Sequence, residues 1–118
     1  NMEHYAPHFI TQIVSTRSDF SAEHPELVDR FLKGLFATVA YVKHNKAPSD
    51  EVAARVLHQS PTVIDRTYDT EISMLSDDGT FDPEAMKVLK ASFLEMGILD
   101  KEPPDDKILT TRFLPVKP

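Results

Sequence analysis

One stretch of this chain reads as a β-strand, and no other stretch offers it a convincing partner. Phe9, Ile10, Thr11, Gln12, Ile13, Val14, Ser15 and Thr16 form a β-branched run too short for a good helix, so residues 9–16 are predicted as a strand. Its apolar residues fall in pairs, at 9–10 and 13–14. Strict alternation therefore fails, as it does in a strand buried on both faces; a turn of helix gives the same pairing. A strand needs partners for its backbone donors and acceptors. Either the segment is not a strand, or its partner belongs to another chain.

The remaining apolar pattern is helical. Residues 25–45 are predicted as a long amphipathic helix: Pro25 suits the first helical position and Glu26 lies in the first turn. Leu27, Val28, Phe31, Leu32, Leu35, Phe36, Val39 and Ala40 make one broad apolar face. Lys43, His44 and Lys46 stand where the negative end of the helix favours cations. Ahead of this helix, Ser18 is placed to cap a short helical turn, with Asp19 near its positive end. After it, Pro48 is read as a break and Ser49 as the cap of a helix that packs Val52, Ala53, Val56 and Leu57. Ser60 then caps a stretch opened by Pro61, with Val63, Ile64, Tyr68, Ile72, Met74 and Leu75 as packing residues. The run 76–80 is a turn. Asp82 caps an amphipathic helix over residues 83–97, and Gly97 ends it in the left-handed conformation. Residues 101–118 form an irregular tail in which Ile108, Leu109, Phe113 and Leu114 are available to pack back. The expected fold is mainly α, a short N-terminal strand followed by four to five helices.

Composition narrows the function. The 118 residues suit one domain, and a compact chain of this size buries roughly 65% of its unfolded surface. Thirteen Lys and Arg against 19 Asp and Glu give a net charge of −6, which argues against nucleic acid and against an anionic membrane surface as partners. No run of about 18 apolar residues predicts a membrane insertion, and residues 1–7 carry neither the basic nor the apolar part of a signal peptide. With no Cys there is no disulfide and no thiolate metal site. Three Gly in the chain leave no room for the glycine-rich loops that cradle phosphate.

No catalytic, cofactor or metal site is expected. His4 and His8 have metal-ligand spacing for a helix, but Pro7 between them disfavours one, so they read as surface histidines. His24, His44 and His58 stand alone. Aligning Gly79 with the invariant glycine of a calcium loop puts Met74 at the first ligand position and Ala85 at the last, so the match fails. Glu102, Asp105 and Asp106 lie in a polar tail with no apolar wall to raise a pKa. Phe31, Phe36 and Phe93, with Met86 and Met96, fall at helical spacing and read as core.

From Ile13 onward the chain resembles the C-terminal part of periplasmic solute-binding proteins of ABC importers. The branch is the one associated with nitrate, sulfonate, taurine and thiamine-pyrimidine precursors. The resemblance rests on "IVSTRSDF", on "AEHPELVDRFLKGLFATVAYVKHN", on "VIDRTYDTEISMLSDDGTFDPEAMKVLKASFLEMGIL" and on the closing "LTTRFL". It spans roughly 100 residues, with a junction near Ser60 to Val63 a few residues shorter than the family's pattern. It implies a parent of type II periplasmic-binding architecture, two α/β lobes that close on a small solute and meet a membrane permease. The present chain matches only the last segment of one lobe. Its sheet neighbours, and the main ligand contacts, belong to the parts that precede it. Only the segment from Tyr5 to Thr11 leads toward the cleft, which makes Tyr5 and His8 the ligand-binding candidates. The resemblance thus implies a non-enzymatic role in periplasmic transport and a chain unable to bind solute alone. An enzyme of the thiamine-pyrimidine type shares the parent fold, but its ligand cluster is missing here. Without the sheet, the apolar face of helix 25–45 is bare, and Leu27, Phe31, Leu35 and Val39 become candidates for self-association into a homo-oligomer. The alternative is a standalone helical module that oligomerises or docks a partner helix. A reading frame that opens at Met2 favours that alternative; one that continues upstream favours the parent.

Overall fold

A computed structural model describes residues 8, 10 and 12–117 of the chain. Among these it contains five α-helices: α1 (Ser18–Glu23), α2 (Pro25–His44), α3 (Lys46–Leu57), α4 (Pro61–Glu71) and α5 (Pro83–Glu95). Single 3₁₀ turns follow α4 at Ile72–Met74 and interrupt the tail at Asp105–Lys107.

No strand occurs among the described residues. The strand expected at 9–16 is irregular at Ile10 and from Gln12 to Thr16, while Phe9 and Thr11 lie outside the described residues. Ile13 and Val14 are exposed. β-Branched propensity alone does not hold a strand, because the stabilising ladder needs a second one beside it.

Helix ends follow local chemistry, with two departures from expectation. Arg17, not Ser18, holds the N-cap position of α1, and it makes no side-chain cap bond. The Arg17 guanidinium instead grips Asp19, with Nε 3.0 Å from Oδ1, and this hydrogen bond holds the Asp19 carboxyl below the usual carboxylate range. Helix α3 begins three residues before the expected Ser49 cap, at Lys46. Pro48 is tolerated inside its first turn because the N–H at that position has no intrahelical acceptor in any helix. Ser49 Oγ then donates to the Asn45 carbonyl at 2.7 Å rather than capping. The caps at Ser60 and Asp82 form as read: Ser60 accepts from Val63 N–H and Asp82 from Glu84 N–H at 2.9 Å. Gly97 takes φ 68°, and bonds from Gly97 N–H to Leu94 C=O and from Ile98 N–H to Phe93 C=O close α5 in the paired C-terminal pattern that favours glycine.

The chain divides into two compact units. One comprises Glu26–Gly79 and Leu114–Pro118. Here α3 and α4 pack against each other, and Leu32, Phe36, Ile64 and Val116 are buried. Val116, not singled out by the sequence pattern, is anchored by its N–H donating to Asp78 C=O at 2.9 Å. Tyr68 Oη donates to the Val42 carbonyl at 2.8 Å and so satisfies one of the last carbonyls of α2, which lack intrahelical donors. Asn45 Nδ2 does the same for Tyr41 C=O at 2.9 Å.

The other unit comprises residues up to Pro25 and Thr80–Phe113. Ala85 and Met86 of α5 are buried. Lys90 ties α5 to the tail, with Nζ 2.7 Å from Glu102 and 2.9 Å from Asp105. Its side chain is only 12% exposed, so the stem covers apolar surface while the charge reaches the two carboxylates. That is what Glu102 and Asp105 do here: they are ion-pair partners of a lysine.

Candidate functional site

The feature least explained by packing within the chain is the outward side of α2. Leu27 is 43% exposed and Phe31 58%. Of the four residues expected to form an apolar self-association stripe, only these two are exposed; Leu35 and Val39 are half-buried. The reason is geometric. A step of four residues overshoots one helical turn by about 40°, so the series 27, 31, 35, 39 winds off the outer face onto the inner one. Steps alternating between four and three stay on one side. The exposed series is accordingly Leu27, Phe31, Gly34, Thr38 and Tyr41. Its spacing was legible in the sequence, but the inward Leu32 and Phe36 overlap it closely enough to blur the two faces into one broad stripe. Gly34 lies at its centre, and nothing comes within 4 Å of where its Cβ would stand.

Other apolar residues read as core are exposed as well. Val52, Val56 and Leu57 of α3, Val63 of α4, and Met74 and Leu75 after it, are open to solvent. So is Met96, whereas Met86 is buried. Helical spacing identifies an apolar face; it does not say that the chain supplies the cover.

The polar groups form ties. Lys46 is the densest centre: its Nζ lies 2.7 Å from Asp50 Oδ2, 2.7 Å from Asp65 Oδ1 and 3.6 Å from Asp69 Oδ1. The ammonium also sits 4.4 Å from the centre of the Tyr68 ring, in cation–π range. The hydrogen bonds it donates to Asp50 and Asp65 push its pKa up, so it stays protonated and unsuited to nucleophilic or general-base work. Beside it an open groove of about 630 Å³ runs between α3 and α4, lined by Asp50, Glu51, Ala54, Pro61, Thr62 and Asp65. A second groove of about 340 Å³ lies along α5, among Met86, Lys87, Lys90, Glu102, Leu109 and Thr111. The Lys90 pKa is likewise raised, first by its bond to Glu102.

Of the two ligand-binding candidates, His8 alone lies among the described residues. Tyr5 lies outside the described residues. His8 is exposed, takes φ 61°, and places Nδ1 2.6 Å from Asp82 Oδ2; it lines neither groove. The His8 ring, followed by the Glu84 N–H, holds the Asp82 carboxyl below its ordinary range. Among the described residues, no three His, Cys, Asp or Glu side chains converge closely enough to hold a metal ion. No helix among the described residues is long and apolar enough to cross a membrane. No family model, curated protein or solved structure matches the chain.

Proposed function

We propose that this chain is the C-terminal helical region of a periplasmic solute-binding protein of an ABC importer, with a covering rather than a catalytic role. The exposed side of α2 carries the reading: Leu27 and Phe31 stand open on a helix whose opposite side is already packed. Burying a large apolar side chain is worth about 1.5–3 kcal/mol, so a helix apolar on both sides is suited to lie between two layers. In the parent, the second layer is the sheet of the lobe, and the segment before α1 runs beside it as a strand. The parent would bind a small solute such as nitrate, a sulfonate or a pyrimidine precursor and deliver it to a membrane permease.

The test is to lengthen the chain through the reading frame that precedes it and titrate both forms with nitrate, an alkanesulfonate and a pyrimidine. Binding by the lengthened protein and none by the 118-residue chain supports the proposal. A stop codon immediately upstream, or tight binding by the short chain, overturns it.

One observation favours a second reading, a standalone helical module that pairs through α2. The exposed residues alternate in steps of four and three, the spacing of a helix–helix seam. A reading frame that opens at Met2, with a stable oligomer of the short chain, selects this reading over the first.

A further inference from the structure

We draw no further inference here: the strongest candidate, the outward stripe of α2 in which Leu27, Phe31 and Tyr41 flank an open Gly34, carries nothing because no contact in the structure shows what covers it.

Discussion

Two glycines separate backbone need from surface need. Gly79 takes φ 79°, and a Cβ there would stand 2.9 Å from Leu114 Cδ2 and 2.9 Å from Phe36 Cζ. Its missing side chain answers both a left-handed backbone and a closed space. Gly79→Ala is expected to cost about 1–3 kcal/mol, read as a lower urea midpoint at unchanged slope. Gly34 is helical and open, so Gly34→Ala is expected to raise the stability of the isolated chain by up to about 1 kcal/mol. Opposite signs for the two substitutions are the outcome that this geometry demands. A loss at Gly34 in the monomeric chain would mean that something already approaches it. Tyr68 offers a third check. Tyr68→Phe keeps the ring and removes the donor to Val42 C=O, and is expected to cost about 0.5–1.5 kcal/mol, with the far-ultraviolet helical signal of the folded state unchanged.

At the scale of elements, each helix is set by its ends more than by its middle. Pro61 and Pro83 both follow a side chain that caps the helix they open, and that combination made α4 and α5 legible from sequence. Helix α3 begins at Lys46 and not after Ser49, because Pro48 and Ser49 only imitate a break and a cap. The same residues fit inside a first turn, and only the backbone path from α2 decides between the two. Asp82 links an element end to pH. Its folded pKa is depressed, so its contribution is present above the unfolded value and lost as pH falls through the folded one. Lowering the pH from about 6 to about 3 is therefore expected to narrow the gap in urea midpoint between the native chain and Asp82→Asn. A gap that stays constant would show that the His8 and Glu84 bonds to this carboxylate contribute nothing in solution.

The molecule as a whole exposes much apolar side chain, on α2, on α3 and at the end of α5. Exposed apolar patches favour association. Light scattering at low micromolar concentration is expected to report a mass above that of the 13.3 kDa chain. The double substitution Leu27→Glu and Phe31→Glu is expected to return it to that mass. Monomeric behaviour of the unsubstituted chain would contradict self-association through α2. Association that survives the double substitution would place the contact elsewhere, with the Val52, Val56 and Leu57 face of α3 next to be changed.

The amino-acid sequence by itself determined the helical character of the segments after residue 17, where α4 and α5 begin, and that no glycine-rich or thiolate chemistry is present; the expected helix over residues 83–97 stops at Glu95, with the left-handed Gly97 just beyond its Met96 cap. These are local matters, decided by caps, prolines and a periodicity that repeats within a few residues. Tertiary structure alone decided which apolar positions are inside. It placed Phe36 against the Gly79 turn and left Phe31 outside. It pulled Val116 in through a bond to Asp78 and gave Lys90 its two carboxylates from the tail. It also left Ile10 and residues 12–16, the described part of the β-branched run before α1, irregular. Burial and strand pairing depend on neighbours distant in sequence, and a helical period reports only that a face is apolar, not what meets it.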